Sequence, residues 1–346
     1  MSKIQYNLQF GKLCGKLQLG DLICPPEPIS GGLLNKMFAI QTTKGKYAVK
    51  AINPQIMLRS EAMQNYINSE HIANIAAKYV PAIPAIMFNG KSIQMIDGQF
   101  YLVFNWIEGK SLKQHEIGII HCEKVGEILA KIHKINSSDF GLIDNSSGEE
   151  KVTDWRYYLK EGEKCNAVWA ELLSKNIDNL YDWNNQSAVS SKLLAANTVI
   201  SHRDLDPKNI MWDNDTPYII DWEAAGFINP MHDLLDNAIY WSMDELKNID
   251  KAKFIAFIDA YRSNYGKLHA DWKAVLEKGY SANLDWLEYS LKRSLRIECN
   301  DEAEQQMGTE HVIETINALR NYSNAVKVIE EWLFDYLKNV YENKAL

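Results

Sequence analysis

The chain has 346 residues, 46% hydrophobic and 24% charged, which is an ordinary globular composition with room for a sizeable core and two lobes. Its net charge of −8 argues against a nucleic-acid binder, which carries a basic stripe, and favours a cationic small partner. Scattered cysteines without a Cys-x-x-Cys pair, and the lack of a run of roughly 20 apolar residues, argue against a disulfide framework, a zinc site and a membrane span, so a cytoplasmic protein is expected.

Residues 5–10 alternate in part and read as a strand. Residues 37–42 and 47–52 flank a Lys44-Gly45 turn, which predicts a hairpin. Between residues 60 and 79 the pattern becomes helical, with Ile67, Ile72, Ile75 and Ala76 on one face, and Pro81 and Pro84 stop it. A second hairpin is expected from residues 92–96, an Asp97-Gly98 turn and residues 100–104. After Gly109 helices dominate. Residues 121–135 carry Val125, Ile128, Leu129, Ile132 and Ile135 as a core stripe, and helical patterns fill 155–180 and 231 onwards. The acidic stretch 298–304 reads as a solvated turn, and residues 326–341 as a packing helix. The expected class is α+β: a small N-terminal antiparallel sheet with a helix, then a larger, mainly helical part. The boundaries are 1–104 for the N-terminal lobe, 105–109 for a hinge and 110–346 for the C-terminal lobe.

Two short apolar runs interrupt the helical part and carry the chemistry. The first leads into His202-Arg203-Asp204-Leu205-Asp206-Pro207-Lys208-Asn209 and the second into Asp221-Trp222-Glu223. An Asp, an Asn five residues on and a second Asp twelve later suit phosphoryl transfer. Asp204 is placed to orient an attacking hydroxyl as general base. Asn209 and Asp221 offer a neutral and an anionic oxygen to a hard cation, magnesium. His202 and Arg203 are read as holding the loop's shape.

The N-terminal part supplies the matching half. Ser30-Gly31-Gly32 before a strand lets backbone N–H groups approach phosphate, although a plain turn has the same appearance. Lys50, in Ala48-Val49-Lys50, is costly on a buried strand unless nucleotide phosphates and a carboxylate pair with it; otherwise it faces water from an edge. Glu70, near the middle of the following helix, is the preferred carboxylate, with Glu61 as the alternative. In the hinge, the Trp106 carbonyl and the Ile107 N–H are the expected adenine contacts.

These residues, with Trp106-Ile107-Glu108-Gly109, the helix around Leu129-Ala130-Lys131-Ile132-His133 and the tail Gly226-Phe227-Ile228-Asn229-Pro230, resemble the aminoglycoside phosphotransferase and choline kinase superfamily. The resemblance runs from about residue 20 to about residue 300. It implies a protein-kinase-like two-lobed fold. It also implies an enzyme that uses ATP or GTP with magnesium to phosphorylate a small-molecule hydroxyl. Glu223 stands where a protein kinase has Gly, and the run after it is too short for an activation segment, which argues against a protein substrate. Asp206 and Lys208 replace the His and Gly of many antibiotic phosphotransferases. The resemblance ranks an aminoglycoside-like or other amino sugar first, then choline or ethanolamine, then homoserine. A nucleotide-binding pseudokinase is the alternative of another class. Asp206 and Glu223 are candidate contacts for a cationic acceptor. Trp286 and Tyr289, at i and i+3, form either a wall of an aromatic cage or an ordinary core-filling pair.

Overall fold

The computed structural model describes residues 5–29, 35–144, 148–299 and 301–342. By internal contacts the chain divides into two compact units. The first takes in residues 1–121, 127–142 and 200–227, so the segment that carries Asp204 belongs with the N-terminal residues; the second takes in residues 122–126, 143–199 and 228–346.

The first unit begins with helix α1 (Phe10–Leu17), where a strand was expected to end. Residues 5–9 do not enter a ladder. The Asn7 N–H donates to Gln99 Oε1 at 3.2 Å and the Gln9 N–H to the Tyr101 hydroxyl at 2.8 Å, so side chains satisfy this backbone. Leu13, Cys14 and Leu17, at helical spacing, are the buried residues of α1.

Both predicted hairpins form. β1 (Glu27–Ile29), β2 (Lys36–Thr42), β3 (Gly45–Ala51), β4 (Gln94–Ile96) and β5 (Gln99–Asn105) make an antiparallel sheet ordered β1-β2-β3-β5-β4. Strand alternation divides its residues between two cores. Val49, Ala51, Tyr101 and Val103 pack with Leu13 and Leu17 of α1. Leu102, on the opposite face, packs with Tyr66 of helix α2 (Ala62–Ala76). Lys50 is the register partner of Leu102, so its side chain leaves the sheet on the α2 side.

The buried face of α2 differs from the predicted one. Ile67 is 46% exposed, and Tyr66, Ser69 and Glu70 take up the buried arc beside Ile72, Ala73 and Ala76. Polar residues held in the burial stripe blur the hydrophobic periodicity there. A short β6 (Lys110–Ser111) follows, and then α3 (Ile119–His133), whose predicted stripe is buried. After α4 (Ser137–Phe140) the unit resumes at residue 200, within β7 (Val199–Ser201). β8 (Ile210–Asp213) and β9 (Thr216–Ile219) then pair in a sheet ordered β6-β8-β9.

The second unit is helical, with α5 (Trp155–Lys164), α6 (Ala170–Lys175), α7 (Ile177–Leu194), α8 (Pro230–Ser242), α9 (Lys251–Tyr265), α10 (Trp272–Lys278), α11 (Ser281–Ser294) and α12 (Glu302–Glu342). Trp155, Trp169, Leu180, Trp183, Leu287 and Ile316 belong to one buried cluster. The predicted turn at 298–304 ends earlier: Glu302 and Glu304 lie in the first turn of α12, where acidic side chains complement the helix dipole. The predicted helix 326–341 is the far end of α12, which runs for 41 residues. Among the described residues no helix is long and apolar enough to cross a membrane. The five cysteines are free thiols.

Candidate active site

The loop between β7 and β8 is built around Asp204. His202 is fully buried and braces the loop on both sides. Its Nε2 donates to the Ile220 carbonyl at 3.0 Å, and its Nδ1 accepts the Asp204 N–H at 3.3 Å, the pattern of the tautomer with its proton on Nε2. The ring stacks edge-on to Trp222, centroids 4.7 Å apart. Arg203 adopts φ 65° and lies against Gly226, where an added Cβ would come within 3.1 Å of its Nη1. A shape-holding role for His202 and Arg203 agrees with this geometry.

Pro207 opens the single turn Pro207–Asn209 that carries Asn209 back to Asp204. Asn209 Nδ2 donates to the Asp204 carbonyl at 2.7 Å and to Asp204 Oδ2 at 2.8 Å. The Asn209 carbonyl accepts the Ile220 N–H at 2.9 Å. One residue thus ties the first carboxylate to the strand end that delivers the second. With its amide nitrogen committed, the side-chain oxygen of Asn209 is the part of the amide that could hold a cation. Asp221 itself sits in the left-handed region at φ 60° and ψ 63°. Such backbone costs a non-glycine residue about 1–2 kcal/mol and is characteristic of functional turns.

Lys50, 6% exposed, reaches Asp221 Oδ1 at 2.8 Å and Glu223 Oε1 at 2.5 Å. Burial alone would lower its pKa, but the two carboxylates outweigh that and hold it raised. Burial likewise works to raise Asp221, and the Lys50 ammonium more than reverses it, leaving that carboxyl below its ordinary range.

The expected Lys50–Glu70 ion pair is replaced by these two contacts. Glu70, 4% exposed, accepts the Ala85 N–H on Oε2 at 2.7 Å instead. Burial pushes its pKa up to about 7, against the lowering effect of that hydrogen bond and of Lys50. Glu61, the alternative, is exposed at the start of α2. Glu223, read from sequence as an acceptor contact, is engaged by Lys50 and also by Asn35, whose Nδ2 lies 3.0 and 3.2 Å from its two oxygens. Asn35 is a residue that sequence reasoning missed. Buried to 6% exposure, it also accepts the Asn53 N–H at 2.9 Å.

Asp206 is joined to Lys208 at 3.1 Å, and Lys208 also stands 3.4 Å from Asp204 Oδ1. Burial, then the neighbouring Asp204 charge, pushes Asp206 up to about 6 against the pull of Lys208. Burial lowers Lys208, yet Asp206 and Asp204 together hold it raised.

Trp106 and Ile107 follow directly on β5, beyond its last register pair, Tyr47↔Asn105. Lys46 lies 3.7 Å over the Trp106 ring. Gly109 passes so close to the chain that a Cβ would meet the Trp212 carbonyl oxygen at 2.7 Å, which reserves the position for glycine. Ser30, Gly31 and Gly32 lie outside the described residues.

Trp286 and Tyr289 belong to the second unit, half-buried on α11 with ring centroids 5.3 Å apart. Arg293 already occupies a position 4.4 Å over the Tyr289 ring. Glu288 between them accepts from Tyr158 at 2.9 Å and Thr153 at 3.0 Å.

A model described as the phosphotransferase enzyme family matches residues 26–273. Among curated proteins the chain is 22% identical over 263 residues to a homoserine kinase of Methylobacillus flagellatus, covering 75% of this chain and 77% of that one. It is 26% identical over 262 residues to a homoserine kinase of Janthinobacterium, covering 72% and 76%. Among solved structures it is similar to a spectinomycin phosphotransferase in complex with ADP and spectinomycin, with TM-score 0.68, 13% identity, and 92% and 99% of the chains covered. It is also similar to a choline kinase of Cryptosporidium parvum, with TM-score 0.62, 15% identity, and 94% and 99% covered. At such identity the likeness is one of fold, and the fold is protein-kinase-like.

Proposed function

The chain belongs to the phosphotransferase enzyme family, and from that premise we propose that it transfers the terminal phosphoryl group of ATP, or of GTP, to a hydroxyl of a small amine-bearing molecule. The observation that carries the reading is the double hold of Asn209 on Asp204, at 2.7 and 2.8 Å, in a residue that the Ile220 N–H ties to the Asp221 strand end. Base and cation ligands are thereby fixed as one piece, which is the preorganisation that phosphoryl transfer requires.

In this reading Asp204 Oδ1 accepts and orients the acceptor's hydroxyl proton, because Oδ2 is occupied by Asn209. Lys50 holds nucleotide phosphates by exchanging part of its contact with Asp221 and Glu223. Glu70 supports it electrostatically rather than by direct pairing. The Trp106 carbonyl and Ile107 N–H read the adenine edge. An anionic oxygen from Asp221 and a neutral one from Asn209 fit magnesium, which takes few protein ligands and completes its shell with phosphate and water. Bound there with the nucleotide, magnesium supplies charge neutralisation of the phosphates. Asp206 offers a carboxylate to the acceptor's amine.

An amino sugar is one acceptor of this chemistry. A hydroxy amino acid is the second reading, favoured because curated relatives that match about three quarters of the chain are named homoserine kinases. The test is a panel of kanamycin, spectinomycin, choline, ethanolamine and L-homoserine, read by ATP loss and by product mass. One acceptor that gains a phosphoryl group supports the reading and chooses among these classes. Nucleotide binding without consumption points instead to a pseudokinase, and label appearing on protein points to a protein kinase.

A further inference from the structure

We propose that Lys208 is a catalytic residue, whose ammonium holds the transferring phosphoryl group at the Asp204 oxygen that receives the acceptor hydroxyl. The inference rests on the phosphotransfer reading above and adds to it a second cation, distinct from Lys50.

The two oxygens of Asp204 are divided between two partners. Oδ2 takes Asn209 Nδ2 at 2.8 Å, and Oδ1 faces Lys208 Nζ at 3.4 Å. An acceptor hydroxyl therefore has Oδ1 to bind, and 3.4 Å from it stands an ammonium. The lysine is held there. Its carbonyl accepts the Ser111 hydroxyl at 2.9 Å, it follows Pro207 in a single tight turn, and Asp206 Oδ2 tethers its ammonium at 3.1 Å. The side chain is 65% exposed, and an exposed i,i+4 contact of this length contributes little to folding. Its position against the reacting carboxylate gives it a catalytic use instead.

In the transfer the acceptor oxygen forms a bond to phosphorus while the bond from phosphorus to the bridging nucleotide oxygen breaks, and its electron pair leaves with the nucleoside diphosphate. The acceptor's proton passes to Asp204 Oδ1 and then to solvent. Charge spreads over the three oxygens of the moving group, and Lys208 donates to one of them. Asp206 keeps the ammonium from closing fully onto Oδ1, which stays open to the hydroxyl.

The experiment compares wild type, Lys208→Met and Lys208→Arg in magnesium-ATP, with L-homoserine, ethanolamine and water as acceptors. ADP affinity is read by calorimetry, and folding by thermal melting. Lys208→Met is expected to lower kcat about 100-fold with each acceptor that turns over, while the KM for ATP and the ADP affinity stay within about threefold. Lys208→Arg, which keeps the charge, is expected to recover kcat to within about 10-fold of wild type. A kcat for Lys208→Met within about threefold of wild type overturns the inference and leaves the phosphotransfer reading intact. A loss of kcat that falls together with Tm and ADP affinity, and that arginine does not restore, also overturns it, in favour of a structural role. Absence of wild-type turnover with all three acceptors, and with kanamycin, spectinomycin and choline as well, overturns the phosphotransfer reading and this inference with it.

Discussion

The Lys50 ammonium lies 2.8 Å from Asp221 Oδ1, joining the third strand of the sheet to the residue that follows the second apolar run. The same ammonium holds Glu223 at 2.5 Å, so one buried cation keeps two carboxylates apart from each other. Lys50→Met leaves that pair facing each other without a counter-charge. Removing one partner of a buried ion pair costs about 3–5 kcal/mol; with the carboxylates here about a third exposed, about 2 kcal/mol is expected by urea unfolding. Calorimetry with ATP is expected to give an affinity at least about 10-fold weaker. Unchanged affinity would remove Lys50 from the nucleotide site.

His202→Leu removes a donor to the Ile220 carbonyl and an acceptor for the Asp204 N–H from a fully buried position. Each group left unsatisfied costs about 1–3 kcal/mol, so a clear drop in Tm is expected together with lowered kcat. A variant that melts like wild type and turns over normally would show that the loop holds Asp204 without His202.

Glu70 titrates in the folded protein near 7, above its ordinary value of 4.5. The folded state therefore binds this proton more tightly than the unfolded state, and the associated stability is fully present below about pH 4.5. It is lost progressively as pH rises through 7, a change of about 3 kcal/mol across that window. Glu70→Gln keeps an oxygen for the Ala85 N–H and removes the titration. The difference in stability between variant and wild type is expected to grow in the variant's favour from pH 5 to pH 8. A difference independent of pH contradicts the raised titration of the buried Glu70 carboxyl.

Asn35→Leu takes a neutral bridge away from Glu223 and leaves the Asn53 N–H without its acceptor. About 1–3 kcal/mol of destabilisation is expected by chemical denaturation. A neutral substitution would mean that water replaces the amide without loss.

What was legible in the sequence was what covalent spacing or turn chemistry encodes. The hairpin at Lys44-Gly45 and that at Asp97-Gly98 form as predicted, and β3 buries Lys50 because alternation leaves it no other face. The interval from Asp204 to Asn209 is close to one tight turn, and their contact follows from it. The partners that were not legible depend on chain paths. Glu70 meets a backbone N–H at Ala85, and a backbone group leaves no mark in a sequence. Asn35 stands alone beside a glycine pair, without periodicity or motif to single it out. The face of α2 differs at Ile67 because Tyr66, Ser69 and Glu70 occupy the burial stripe that apolar residues would otherwise fill. The apolar spacing that marks helix α1, Leu13, Cys14 and Leu17, lies beyond the partial alternation that ends at Phe10.

The central claim is that Asp204 orients the acceptor hydroxyl, and the kcat of Asp204→Asn measured beside its ADP affinity tests it most directly. The account predicts a kcat lower by at least about 100-fold, with ADP bound as tightly as by wild type. Turnover within about threefold of wild type would contradict it.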